Sequence, residues 1–194
     1  LPVVPVVDQA MKDRLRAVFD AGRARGNRPE VFAKVGDSIT VSGYFLTDIG
    51  CGRLDPGDHG DLAATVAYFR AVQLPTEGSI ARCADGNAFT RRSLASGIGW
   101  TALQVFAPLD EPPPECVPPL DTALACEVEL TKPSTALVLF GTNEVHSGGS
   151  ASAFEAALDR VTTELVAAGV IPVLSTIPPR GAHRGGQPQR QTGT

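Results

Sequence analysis

The chain has 194 residues, of which 17 are basic and 21 acidic, so its net charge is −4. Its length and its apolar content of 43% fit one soluble domain with a buried core. The acidic balance disfavours nucleic acid as a partner, and no apolar run reaches the roughly 18 residues that a transmembrane helix needs.

Hydrophobic periodicity predicts alternating helices and strands. In chain order we expect a helix over 8–27, a strand over 31–35, helices over 61–73, 100–106 and 120–128, a strand over 135–140, a helix over 152–168 and a strand over 170–174. Ser152 and Glu155 have the capping-box spacing, which predicts that the long helix begins there. A strand, a helix and a strand joined by short connections form a right-handed crossover unit. The predicted fold class is therefore α/β, with a parallel sheet covered on both faces.

The end of the chain differs in composition from the rest. Residues 178–194 are rich in Gly, Arg and Gln and hold almost no apolar side chains, which predicts a disordered polar tail. We therefore expect a single domain with an N-terminal helix over 8–27, a core over 31–177 and this tail.

The four cysteines are Cys51, Cys83, Cys116 and Cys126, and none forms a C-x-x-C pair. Their even number and their loop settings favour two disulfides in an exported protein over four free thiols. Cys116 and Cys126 are a natural local pair, which leaves Cys51 to pair with Cys83. The chain opens on Leu1 without a basic leader, so we interpret this start as a mature N-terminus of a secreted or periplasmic protein. A trimmed chain is the alternative.

The first polar motif is Gly36-Asp37-Ser38, which directly follows the strand over 31–35. The carboxyl ends of parallel strands are where open α/β folds place their sites. A serine there exposes its hydroxyl and aims its own backbone N–H at whatever attaches to it, which suits a nucleophile and part of an oxyanion hole. On these three residues alone, simple helix capping by Asp37 and Ser38 is the more economical interpretation.

Two further motifs favour the interpretation of Ser38 as part of a site, because they could supply other donors to an oxyanion. Gly141-Thr142-Asn143-Glu144 follows the strand over 135–140, where the Asn143 amide can donate to a developing oxyanion. Gly97 and Gly99 precede Trp100, and a glycine lets a backbone N–H approach a substrate oxygen closely. The alternatives are an asparagine in a turn or cap and a glycine in a tight turn. Trp100 could line an acyl pocket or pack in the core.

Together the three motifs resemble the blocks of the SGNH hydrolases, also called the GDSL esterase/lipase superfamily. Gly36-Asp37-Ser38 matches the nucleophile block, and Gly99-Trp100-Thr101 is similar to the glycine block. Gly141-Thr142-Asn143-Glu144 matches the Gly-x-Asn-Asp block, with Glu144 where Asp is usual. The resemblance runs over about 31–179.

The resemblance implies a flavodoxin-like, three-layer α/β/α sandwich around a parallel sheet. It implies that Ser38 is the nucleophile and that the oxyanion hole consists of the Ser38 and Gly99 backbone N–H groups and the Asn143 side chain. Gly97 is a second candidate for the glycine position. No metal or cofactor is implied.

The family's fourth block, Asp-x-x-His, supplies the general base, and no histidine of this chain has an aspartate three positions before it. We expect His59, His146 and His183 to be exposed loop histidines. A serine hydroxyl without a base is a poor nucleophile. Either the last strand and helix lie on a second polypeptide or beyond this chain, or the chain is a complete relative that has lost its base. The Arg-rich tail and the missing last strand favour the first explanation.

The sequence therefore predicts a secreted serine esterase that hydrolyses a small-molecule or glycan ester through an acyl-enzyme. The alternative is a non-catalytic carbohydrate- or ester-binding relative. The motifs do not distinguish lipids, acetylated glycans and thioesters, because the same blocks serve all of them.

Overall fold

The structure, a computed structural model, describes residues 6–75, 83 and 86–177. The helices are α1 (Gln9–Ala24), α2 (Ser38–Val41), α3 (Thr47–Gly50), α4 (Ala63–Arg70), α5 (Ala123–Thr131), α6 (Thr142–His146) and α7 (Ala151–Ala167). The strands are β1 (Arg28–Gly36), β2 (Pro133–Leu139) and β3 (Ile171–Leu174), and 3₁₀ helices cover Gly60–Leu62 and Ala102–Phe106. Within these ranges, no helix is long and apolar enough to cross a membrane.

The three strands form one parallel sheet in the order β1-β2-β3. Val35 pairs with Val138, and Val138 pairs with Leu174. Gly36 also forms an isolated parallel bridge with Ser96, which must lie on the side of β1 away from β2. The parallel α/β class predicted from the sequence is confirmed for this three-stranded sheet. A complete SGNH-type sandwich remains a prediction.

Apolar side chains from the sheet enter two separate cores. The first core cluster consists of Ala33, Val35, Ala95, Ala102, Val105, Leu124, Ala136, Val138, Phe140, Ala157, Val161, Leu165 and Val170. The second core cluster consists of Val31, Phe32, Leu74, Ala88 and Phe89. Side chains alternate between the faces of a strand, so α5 and α7 cover one face, whereas α4 and the segment around Phe89 cover the other.

Most predicted elements are present, but their boundaries differ from the expected ones by up to three residues, and three of these differences have a structural reason. The helix expected over 61–73 ends at Arg70, because Leu74 leaves it to enter the second core cluster and donates its backbone N–H to the Gly86 carbonyl at 2.7 Å. The long helix α7 begins at Ala151, one residue before Ser152 of the expected capping box, because the Ser150 hydroxyl caps it by accepting the Ala153 N–H. The helix expected from 120 begins later, because Thr122 is its cap. The predicted polar tail lies outside the described residues.

Both disulfides join the cysteine pairs expected from the sequence. Cys51 is bonded to Cys83 with Cα atoms 5.8 Å apart, and Cys116 is bonded to Cys126 with Cα atoms 5.2 Å apart. The second bond fastens the proline-rich loop before α5 to that helix. Two disulfides are typical of proteins from oxidising compartments.

Candidate active site

The three motifs meet at the carboxyl edge of the sheet. Gly36, at the end of β1, is in register with Leu139, at the end of β2, and the Asp37 N–H donates to the Leu139 carbonyl at 3.3 Å. On the other side of β1, the Gly97 N–H donates to the Gly36 carbonyl at 3.1 Å. The Gly36-Asp37-Ser38 motif therefore lies between the segment of Gly97 and Gly99 on one side and the Gly141-Thr142-Asn143-Glu144 motif on the other.

Ser38 is the first residue of α2, a single helical turn, and its side chain is exposed. Asp37 is the N-cap: its Oδ1 accepts the Ile39 N–H at 2.9 Å. The capping interpretation is thus correct for Asp37, and it leaves the Ser38 hydroxyl directed to solvent. Gly36 has no room for a side chain, because a Cβ there would lie 2.1 Å from Thr40 Oγ1. The tight turn that presents Ser38 therefore needs glycine.

The structure distinguishes the two candidate glycines. The Gly97 N–H is already used in its bond to Gly36. Gly99 has a φ of +77°, a conformation that favours glycine, and its N–H has no hydrogen-bond acceptor in the described part of the chain. The same is true of the Ser38 N–H. Among the candidate donors, the N–H groups of Ser38 and Gly99 are therefore available and that of Gly97 is not.

Asn143 lies in the first turn of α6, and its side chain is half-buried. Its Nδ2 donates to the Trp100 carbonyl at 2.8 Å, which fixes the amide against the glycine block. An amide NH₂ has two hydrogens, so one donor remains after this bond. The bond orients the side chain without using up its capacity to donate.

Glu144 has a role that the sequence analysis missed. Its Oε2 accepts the Gly141 N–H at 3.0 Å, and its Oε1 accepts the Ala102 N–H at 2.7 Å. One carboxylate therefore fastens the loop after β2 to the 3₁₀ helix that follows the glycine block. The only signal in the sequence was the departure from the Gly-x-Asn-Asp pattern, since the longer glutamate can span this gap.

Three buried side-chain oxygens without a hydrogen-bond partner share this edge. Over the described ranges, the buried polar side-chain atoms that lack a partner are Asp37 Oδ2, Thr40 Oγ1 and Thr142 Oγ1. All three follow β1 or β2 at the carboxyl end. Such atoms destabilise a fold by about 1–3 kcal/mol each, and folds tolerate this cost chiefly at functional sites.

The described histidines lie apart from the sheet itself. Both side chains are exposed, as expected. His59 lies in the loop before the 3₁₀ helix Gly60–Leu62, whereas His146 is the last residue of helix α6, so its expected loop setting was wrong. His183 lies outside the described residues. Across the parts of the chain that the structure describes, no group of three or more His, Cys, Asp or Glu side chains is arranged to hold a metal ion.

Two cavities of similar volume differ in their position relative to the three motifs. One, of about 510 Å³, is bordered by Asn27, Lys132 and Ala168, which precede the strands, so it is remote from the three motifs. The other, of about 500 Å³, is bordered by Ser96 and Trp100 of the glycine block. Only the second adjoins the candidate site.

Fold and site together define a parallel α/β protein with an exposed serine, free N–H donors and unpaired buried oxygens at one sheet edge. Comparison of the chain with protein-family models, with curated proteins and with solved structures finds no match. Membership of the SGNH hydrolases therefore remains a prediction from the three motifs.

Proposed function

We propose that this protein is an exported serine esterase of the SGNH type. The observation that carries the proposal is the placement of Ser38, Gly99 and Asn143 along one sheet edge, with an exposed hydroxyl and three N–H donors still available. The two disulfides support export, because such bonds persist in oxidising compartments.

In the proposed reaction, the Ser38 Oγ attacks the ester carbonyl while a base removes its proton. The N–H groups of Ser38 and Gly99 and the Asn143 amide donate to the tetrahedral oxyanion. Collapse of this intermediate breaks the bond to the alcohol, which leaves with the proton held by the base. Water then attacks the acyl-enzyme in the same way and releases the acid and Ser38.

The general base is proposed to come from outside residues 1–194, in an Asp-x-x-His segment. This rests on the sequence, in which no histidine has that spacing. The fold supports it: the outer edge of β3 pairs with no described strand, and Val173 and Leu174 remain 46% and 48% exposed. A strand added there would have its carboxyl end at the edge that holds Ser38.

The alternative function is a non-catalytic module that binds esters or carbohydrates. The lack of an Asp-x-x-His block in this chain favours it, because an unassisted serine hydroxyl is a poor nucleophile.

A covalent serine probe tests the proposal. We expect a fluorophosphonate to label the intact protein at Ser38, and Ser38→Ala to abolish both labelling and hydrolysis of a nitrophenyl ester. Ser152→Ala is the matched control, since Ser152 is equally exposed but lies on α7. Undiminished hydrolysis by Ser38→Ala would overturn the assignment of the nucleophile. Absence of labelling and hydrolysis in the intact protein would favour the binding module.

The source of the base is tested by replacing His59, His146 and His183 with alanine one at a time. We expect each variant to keep most of the activity of the intact protein. If one loss matched that of Ser38→Ala, the base would belong to this chain and the proposal of an outside segment would be wrong.

A further inference from the structure

We propose that the cavity of about 500 Å³ beside Trp100, here called the Trp100 cavity, binds the acyl chain of the ester. The protein would then prefer medium-length acyl chains, such as octanoyl, to acetyl. This inference rests on the proposed esterase function and specifies its substrate class.

The Trp100 cavity adjoins the candidate site through two contacts. Ser96, which borders it, pairs with Gly36, two residues before the nucleophile. Trp100 also borders it, and the Trp100 carbonyl accepts the hydrogen bond from Asn143. A chain attached to a carbonyl carbon at Ser38 therefore has an apolar space next to it.

Trp100 is held in place as a wall of this cavity. Its indole lies directly over Gly97, where an added Cβ would come within 2.2 Å of the ring. The ring also packs against the first core cluster. The core-packing interpretation of Trp100 is therefore confirmed, and the ring also borders the cavity to which we assign the acyl chain.

The lining of the Trp100 cavity suits a hydrocarbon. Its apolar lining residues are Pro75, Leu94, Trp100, Leu109, the adjacent prolines 113 and 114, and Leu130. Its volume falls in the range of small-molecule sites, about 300–1,000 Å³.

Most polar groups in this lining already have partners within the protein. The Arg91 guanidinium bonds to Glu127 and to the Pro75 carbonyl. The Ser93 hydroxyl accepts the Ala95 N–H, and the Ser96 hydroxyl donates to the Ser93 carbonyl. Arg92 and Glu115 are exposed to solvent. A sugar would find few free partners for its hydroxyls here, whereas an acyl chain needs none.

A smaller apolar cavity of about 360 Å³ provides the comparison. It lies between β2, β3 and α7 and is bordered by Val138, Phe154 and Leu158. It adjoins the outer edge of β3, where the proposed additional strand would cover it. Its lining residues Phe154 and Ile177 also lie beside Gly141, so it is the competing candidate for the acyl chain. The Trp100 cavity lies on the other side of the sheet's first strand and stays open in that arrangement.

The kinetic test compares one substitution in each cavity. Leu130→Phe narrows the Trp100 cavity, and Leu158→Phe is the matched change in the smaller one. We expect Leu130→Phe to lower the ratio of kcat/KM for nitrophenyl octanoate to that for nitrophenyl acetate about tenfold, and Leu158→Phe to leave the ratio unchanged. A fall with Leu158→Phe alone would overturn the assignment. If Leu130→Phe fails to fold, Leu109→Phe narrows the same cavity from the proline-rich loop.

A binding test separates the cavity from the chemistry. Trp100 is the only tryptophan in the chain, so its fluorescence reports on this cavity alone. We expect octanoate to change the fluorescence of the Ser38→Ala protein saturably, acetate to leave it unchanged, and Leu130→Phe to weaken the octanoate response at least about tenfold. If octanoate gives a saturable fluorescence response but the intact protein hydrolyses no ester, the esterase function is wrong and the binding of acyl chains in the Trp100 cavity stands. If the intact protein hydrolyses esters with no preference for chain length, and octanoate gives no fluorescence response, the acyl-binding role of the Trp100 cavity is wrong and the esterase function stands.

Discussion

Two buried polar regions of this molecule differ in how their groups are paired. In the first, Lys34, Arg91 and Glu127 lie almost fully buried between β1, α5 and the segment before the glycine block. The Glu127 carboxylate bonds to Arg91 with one oxygen and accepts the Leu94 N–H with the other, and Lys34 Nζ donates to the Phe89 carbonyl at 2.9 Å. We call these three residues the charged cluster.

The second region is the carboxyl edge of the sheet, where Asp37, Thr40 and Thr142 each keep one buried oxygen without a described partner. The two regions are neighbours along the chain, since Lys34 lies in β1 and Asp37 directly follows the end of that strand. Paired buried charges hold distant segments in one arrangement, whereas unpaired buried oxygens stabilise nothing. The charged cluster therefore contributes to the fold, whereas the carboxyl edge keeps hydrogen-bonding capacity that the described protein groups do not use.

Among the substitutions in and around these two regions, the removal of one charge from the charged cluster should lower the free energy of unfolding most. Glu127→Gln leaves the Arg91 guanidinium buried without a counter-ion, so we expect it to lower the free energy of unfolding by about 3–5 kcal/mol. Denaturant unfolding measures this. Glu129→Gln is the matched control on the same helix: its partner Lys132 is 2.7 Å away, but both side chains are about a third exposed, and we expect a loss under about 1 kcal/mol. If Glu127→Gln and Glu129→Gln lowered the free energy of unfolding equally, the buried ion pair would matter no more to the fold than the exposed one.

The charged cluster should also make stability depend on pH. Burial lowers the pKa of Lys34 from 10.5 to about 8, with Glu127 opposing the shift and Arg91 adding to it. Between these values the unfolded chain binds more protons than the folded one, so stability rises as the pH rises from about 8 to 10.5. The gain is on the order of 3 kcal/mol, and it is lost as the pH falls from 10.5 to about 8, below which the lysine is protonated in both states.

Urea unfolding of the protein and of Lys34→Met across this pH range isolates the effect, because other groups titrate equally in both. We expect the variant to lack the Lys34 part of the rise. A parallel pH dependence in the two proteins would show that Lys34 titrates as an ordinary exposed lysine.

The smallest expected effect on stability is the difference between replacing a threonine whose hydroxyl is hydrogen-bonded and replacing one whose hydroxyl is not. The Thr131 hydroxyl donates to the Glu127 carbonyl at 2.7 Å, so Thr131→Val should lower the free energy of unfolding by about 1 kcal/mol. Thr40 is equally buried, but its hydroxyl is unpaired, so Thr40→Val should leave stability unchanged or raise it by up to about 1 kcal/mol. Thermal unfolding of both variants measures the difference. Equal destabilisation would mean that the Thr40 hydroxyl bonds a group outside the described residues.

Part of the candidate site could be anticipated from local sequence. Gly36-Asp37-Ser38 and Gly141-Thr142-Asn143-Glu144 each follow a strand, and parallel strands bring their carboxyl ends to one edge, so the strands alone predict that Ser38 and Asn143 share that edge. The choice between Gly97 and Gly99 was open in the sequence. It depends on which N–H is used by the Gly36 carbonyl, a contact across about 60 positions.

The sequence by itself determined the parallel α/β class, the cysteine pairing and the edge on which the polar motifs lie. The class and the edge follow from periodicity and from the position of each motif after a strand. The ten-residue spacing of Cys116 and Cys126 left Cys51 to pair with Cys83. Three features could be recognised only in the tertiary structure: the charged cluster, the carboxylate bridge of Glu144 and the Trp100 cavity. Each joins segments that are far apart in the chain: Arg91 and Glu127 are 36 positions apart, and Ala102 and Glu144 are 42 apart. No local pattern specifies such partners, because they are set by how the helices and loops pack around the sheet.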